Sequence, residues 1–131
     1  MEINEYQRRA MTTCMPTCEN VGYMLTNLVG EVGEFCSKLA KHIRKGEMTI
    51  GGKTIPNVLL CTSKLENTLE ADTALRKEAG DILWQLAGLC NVMGWKLNDV
   101  AKENLEKLAE RKKNGTIAGS GDGVTKEERK C

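Results

Sequence analysis

The chain has 131 residues, 28% of them charged, and a formal net charge of +1. That length sets a single domain able to bury a core, and the near-neutral balance provides no global field to recruit a nucleic acid polymer or an anionic membrane. No apolar run is long enough to span a bilayer and no basic, apolar leader opens the chain, so the expected compartment is the cytoplasm.

Residues 2–14 read as a first helix, with Ile3, Tyr6, Ala10 and Met11 on one face and Gln7, Arg8 and Arg9 elsewhere. Pro16 breaks it, and Thr17 or a neighbour starts the second helix, which runs from about Cys18 to Lys45 with Gly46 as its stop. Its apolar stripe is Leu25, Leu28, Val29, Val32, Phe35, Cys36, Leu39 and Ile43; beside it runs a polar stripe of Glu31, Glu34, Lys38 and Lys41. Residues 47–57 place β-branched residues on both sides of Gly51-Gly52, the signature of a small projecting hairpin or loop. From Val58 to Ala74 the pattern is weakly helical, and a third helix is clear from about Leu75 to Met93, ended by Gly94. Leu75, Ala79, Ile82, Leu86, Leu89 and Met93 form its apolar stripe, and Glu78, Asp81 and Gln85 the polar one. Asn98 is the expected N-cap of a fourth helix that reaches Lys113 with Leu97, Val100, Ala101, Leu105 and Leu108 inward. The fold class is therefore all-α: a four-helix domain over 1–113 with a hairpin or loop between the second and third helices. A Gly-rich, then charged, flexible tail follows over 114–131. The six cysteines have neither zinc-site nor redox-motif spacing; Cys14 and Cys18 lack a second pair, and Cys36 and Cys90 read as small core residues.

Two stretches carry chemistry. Gly30-Glu31-Val32-Gly33-Glu34 and Glu78-Ala79-Gly80-Asp81 each hold two carboxylates three residues apart. On a helix this spacing turns the second side chain only about 60° from the first. Two such pairs facing each other repel unless a cation sits between them, and hard oxygen donors without a nearby histidine or thiolate suit Mg²⁺, with Mn²⁺ as the alternative. The competing reading is two solvated acidic pairs on helix surfaces. Gly30, Gly33 and Gly80 lie inside helices, where each costs about 1 kcal/mol against alanine. Close approach of a helix or a ligand is the expected compensation.

These residues, followed by Lys41, then Ile82-Leu83-Trp84, then Asn104-Leu105-Glu106-Lys107-Leu108 with Arg111, resemble the MazG-like nucleoside triphosphate pyrophosphohydrolases, members of the all-α NTP pyrophosphatases to which the dimeric dUTPases are related. The resemblance covers about residues 2–45 and 75–122, with three motifs in the right order. It implies a four-helix core assembled into a homodimer or homotetramer, and Mg²⁺-dependent hydrolysis of a nucleoside triphosphate to a monophosphate and pyrophosphate. It also implies Glu31, Glu34, Glu78 and Asp81 as metal ligands and catalytic residues. The chain departs from the family in two places. The connection between Glu34 and Glu78 is longer than in the simplest members, and Gln85 stands where many members have an aromatic residue after the tryptophan, at a position where it could face a base.

Further residues are candidates for substrate binding, each with a plainer alternative. Lys38 and Lys41 can balance phosphate charge or pair with the acids of their own helix. Lys107 and Arg111 can reach phosphates or form a solvated face with Glu106 and Glu110. Asn104, among apolar neighbours, needs a partner that is either a nucleotide or another helix. Trp84 is a core or subunit contact, or a platform for a base. No covalent nucleophile is paired with a base, so attack by a metal-activated water is expected. A di-iron bundle is disfavoured because the one histidine, His42, belongs to neither acidic motif. A non-catalytic nucleotide-binding or helical regulatory protein is the remaining alternative.

Overall fold

A computed structural model describes residues 1–45, 49–50, 58–59 and 65–119, with side chains for 1–45 and 71–119. The elements in order are α1 (Ile3–Met11), a single 3-10 turn (Pro16–Cys18), α2 (Val21–Arg44), strands β1 (Thr49–Ile50) and β2 (Val58–Leu59), α3 (Leu65–Val92) and α4 (Leu97–Lys113). The strands pair antiparallel, Thr49 with Leu59 and Ile50 with Val58; the second strand lies past the 47–57 segment, at the start of the stretch read as weakly helical, whose helix begins at Leu65. Gly46, the Gly-Gly centre of that connection and the tail beyond residue 119 lie outside the described residues. Among the described residues no helix is long and apolar enough to cross a membrane.

Helix boundaries follow local chemistry. α1 ends at Met11, short of the expected residue 14, where the Thr12 and Thr13 hydroxyls donate to the Arg9 and Ala10 carbonyls; Pro16 opens the 3-10 turn, and Asn20, not Thr17, caps α2 by accepting from the Tyr23 N–H at 2.8 Å. Gly94 ends α3 with φ of 73°, a left-handed conformation that costs glycine nothing. The start of α4 is capped from outside. Leu97 N–H donates to Gln7 Oε1 at 2.8 Å and Asn98 N–H to Asn4 Oδ1 at 2.9 Å, so two α1 side chains replace the expected Asn98 cap. Gln7 Nε2 also donates to the Trp95 carbonyl at 2.9 Å. This residue, assigned by pattern to the outer face, is buried, because its amide satisfies the backbone at the α3–α4 turn.

The long helix α3 is the central element. Lys38 of α2 meets its Glu78, while Met24 lies against Gly88, so α2 and α3 run antiparallel. On the other side, Trp84 Nε1 donates to the Ala10 carbonyl at 3.1 Å and to Thr13 Oγ1 at 2.9 Å, fastening α1 to α3. Among the described residues, the buried apolar set is small: Met24, Ala71, Ala87, Cys90 and Leu97. Only part of the stripe expected to face inward on α2 does so, with Leu28, Phe35 and Leu39 half-buried. Leu25, Val29, Val32, Cys36 and Ile43 are exposed, as are Leu86 and Met93 on α3 and Leu105 and Leu108 on α4. α1 and α2 each bury a narrow seam against α3, α4 packs chiefly against α1, and apolar side chains on the other faces stay exposed. Past α4, Thr116 is buried and its N–H donates to the Arg111 carbonyl at 2.9 Å.

The glycine expectation is also corrected. Among the described residues, a Cβ at Gly33 or Gly80 would meet no atom within 4 Å, and at Gly30 only Asn27 Oδ1 at 3.8 Å. The close approach is at Gly88, where a Cβ would lie 2.4 Å from Met24 Sδ. Met24 has no exposed surface into which to retreat. Gly33→Ala is therefore expected to raise unfolding free energy by about 1 kcal/mol. Gly88→Ala is expected to lower it by about 2 kcal/mol through overpacking. Urea denaturation of the two variants checks the contrast.

Candidate metal centre

The site is built where α2 and α3 face each other, and its geometry follows from helical periodicity. Residues seven apart return to nearly the same side of a helix, offset by about 20°. On α3 that seam runs through Ala71, Glu78 and Gln85, all buried. On α2 it runs through Met24, Glu31 and Lys38, of which Met24 is buried and the others half-buried. The first acid of each motif thus lies on the seam, and the second lies to its flank. Carboxylate oxygens of Glu31, Glu78 and Asp81 come within 4.8 Å of one another. Glu34 is exposed and is not one of the three.

Glu78 is only 4% exposed, the most deeply placed acid of the group. Its Oε1 accepts from Lys38 Nζ, whereas its Oε2 is buried without a hydrogen-bond partner. That bond, with the charges of Glu78, Glu34 and Asp81, raises the Lys38 pKa against the opposing effect of desolvation. Glu31 Oε1 accepts from Asn27 Nδ2 at 3.0 Å, which fixes the carboxylate one turn along α2. Three carboxylates less one ammonium leave a formal charge of −2, and a buried carboxylate oxygen with no donor calls for a cation. The donor set is all oxygen, which fits a hard divalent ion.

Polar residues continue along the seam. Gln85, one turn past Asp81, is 3% exposed, and its Oε1 is buried without a partner. The neighbouring Cys18 side chain above all pushes the Tyr23 hydroxyl pKa up, followed by burial. Tyr6 is raised by burial and then by the charge of Asp81, which places α1 beside the acidic group. The other candidates are dispersed. Trp84 is committed to α1 through its indole N–H. Lys41 and Lys107 are exposed. Arg111 is half-buried near the end of α4. Asn104 is exposed, against the expectation of a buried amide, and lines an apolar groove with Ile3, Leu83, Leu86, Val100 and Leu105. Cys36 is exposed, so of the two thiols read as core only Cys90 is. Sequence reasoning missed Asn27 and Tyr23 as site neighbours, although they stand four and eight residues before Glu31, spacings that share a helix face.

The profile of the MazG nucleotide pyrophosphohydrolase domain matches residues 20–116. The chain belongs to this family. A MazG-family relationship also fits the likeness to the Gene 37 protein of Mycobacterium phage L5, which is 32% identical over 129 residues, covering 93% of this chain and 98% of the phage protein. No solved structure matches. The matched span contains all four helical acids, α2 and α3 entire, and α4, so the helices that build the acidic group are those that define the MazG domain.

The two tyrosines of the chain report on this environment. Both are raised from the ordinary value of 10.0. A phenol that holds its proton more tightly when folded contributes stability that is intact below about pH 10 and lost as pH climbs through its folded value. Absorbance at 295 nm is expected to show both titrating above the ordinary value, and a folded-state phenol ionising at or below it contradicts the packing of Tyr6 or Tyr23.

Proposed function

We propose that this MazG-family protein is a divalent-metal-dependent nucleoside triphosphate pyrophosphohydrolase that releases a monophosphate and pyrophosphate, with a role in nucleotide-pool housekeeping. The observation that supports this most is the convergence of Glu31, Glu78 and Asp81 around a buried, half-satisfied carboxylate. In this reading Glu31, Glu78 and Asp81 hold Mg²⁺ or Mn²⁺, with Glu34 one short step along α2. Bound there, such an ion supplies polarisation of a phosphoryl oxygen and a water of lowered pKa.

The chain's own residues set the stage for that chemistry. Asn27 holds Glu31 in orientation. The burial of Glu78 keeps its carboxylate from rotating into water. Lys38 and Lys41 on α2, and Lys107 and Arg111 on α4, offer positive charge to the phosphates. Trp84, Gln85 and Asn104 are the candidates on the side of the base and sugar. Pyrophosphate chelates a divalent ion better than a lone phosphate does at the same position, which favours it as the leaving group.

Phosphorus NMR of nucleoside triphosphates incubated with the protein and Mg²⁺ tests the reaction. The expected first products are the monophosphate and pyrophosphate. A diphosphate with orthophosphate refutes the reaction type, and binding without turnover favours a regulatory nucleotide-binding protein. Glu78→Gln is expected to lower kcat by about 100-fold or more with unchanged far-UV circular dichroism.

Assembly belongs to the same proposal. Val29 is 73% exposed and Leu105 67%, with Leu25, Val32 and Leu108 also open to solvent, more apolar surface than a stable monomer usually shows. A homodimer or a pair of dimers would cover these faces. Multi-angle light scattering at micromolar concentration is expected to give two or four chain masses; a fully active monomer removes the proposal.

A further inference from the structure

The turn between α3 and α4 lies away from the acidic group: the end of α3 at Val92 is about 17 Å along the helix from Asp81. Two cavities meet at this turn, and Gly94, Trp95 and Lys96 line both. The one toward α1, about 510 Å³, adds Arg8 and Met11, and the one toward α4, about 420 Å³, adds Asp99 and Glu103. Spaces of this size hold a small organic ligand. Among the described residues the side chains of Arg8, Lys96, Asp99 and Glu103 make no ion pair, although they are of opposite sign and line adjoining spaces. Trp95 is 49% exposed, whereas a tryptophan is on average well buried. Its backbone is held nonetheless. Gln7 Nε2 donates to its carbonyl, and Leu97 beyond it is buried, so the ring stands on a fixed frame.

We propose that this turn is a second, metal-independent site, for a nucleoside monophosphate whose base carries N–H donors on its outer edge, guanine above the others. The order of side chains across the two cavities matches the order of groups in such a ligand. On the α1 side, Arg8 and Lys96 bring two positive charges to the phosphate. At the junction, Trp95 offers a flat face to the base. On the α4 side, Asp99 and Glu103 stand one turn apart and can only accept hydrogen bonds. Guanine presents two adjacent N–H donors, which one carboxylate accepts together. Adenine and cytosine present an amino group. Uracil flanks its single N–H with two carbonyl oxygens, which a carboxylate repels. The cations therefore attract any nucleotide, and the carboxylates choose the base. No residue of the acidic group lines either cavity, so the site does not depend on reading Glu31, Glu78 and Asp81 as a metal centre. A nucleotide bound here bridges α1 and α4 and adds to the caps that Asn4 and Gln7 already place between them.

Calorimetric titration of GMP and UMP into the full chain, with EDTA present, tests this. GMP is expected to bind with Kd below about 1 mM and UMP about tenfold more weakly. Arg8→Gln is expected to weaken both nucleotides by a similar factor. The Asp99→Ala/Glu103→Ala variant is expected to weaken GMP alone and so to close the gap. Glu78→Gln is expected to bind GMP as wild type does. The proposal is overturned if GMP does not bind or if GMP and UMP bind equally. Loss of GMP binding in Glu78→Gln places the nucleotide at the acidic group and overturns it as well. Asp99 lies in the first turn of α4, where its removal can loosen the helix. A second measurement therefore uses ¹⁵N-labelled wild type and follows the indole N–H signals of its two tryptophans, with that of Trp95 assigned by its absence from Trp95→Phe. The Trp95 signal is expected to shift in step with GMP while that of Trp84 stays in place. A stationary Trp95 signal while GMP binds overturns the proposal.

Discussion

A buried carboxylate is the constraint around which this small helical domain is arranged. Glu78 sits at the middle of α3, between α2 and the side chains around it, where water does not reach one of its oxygens. An ionised group in such a place is tolerated only with a compensating charge, and the structure brings Lys38 from α2 to provide it. The pairing also fixes the relative register of α2 and α3. A slip of one residue on α2 turns Lys38 and Glu31 away by about 100° and leaves Glu78 facing apolar or empty surroundings. Stability and the acidic group therefore depend on the same contact.

The rest of the structure keeps α3 where that contact requires it. The Trp84 indole ties α3 to the end of α1, and the Gln7 amide ties α1 to the turn after α3 and to the start of α4. These are polar ties to backbone atoms, and they hold direction better than apolar packing alone. They matter here because the apolar core is thin. Met24, Ala87, Cys90 and Leu97 are small or flexible residues, and Gly88 lets α2 approach where Met24 needs the room. Charge balance completes the picture. Three carboxylates converge with one lysine and one asparagine as neighbours, a group short of positive charge within a chain that is nearly neutral overall. A local deficit inside a neutral protein is a more specific signal for a cation than a broadly acidic surface.

The sequence by itself determined the all-α class, the number of long helices and the stop at Gly94, and it marked a non-helical connection between α2 and α3. It also singled out the acid pairs, because spacings of three and seven residues on a helix are properties of the local backbone and hold whatever the helix packs against. Membership of the MazG family follows from the same local motifs. What lay beyond it was the choice of face. Val29 and Leu105 fit an inward stripe by period, and Gln7 fits an outward one, yet the first two are exposed and Gln7 is buried. Only the tertiary structure decided those positions, since period gives the angle between residues and not the direction of the neighbouring helix. For the same reason it alone separated Asp81, which joins Glu31 and Glu78, from Glu34, which does not, and put Lys38 against Glu78 across 40 residues of chain.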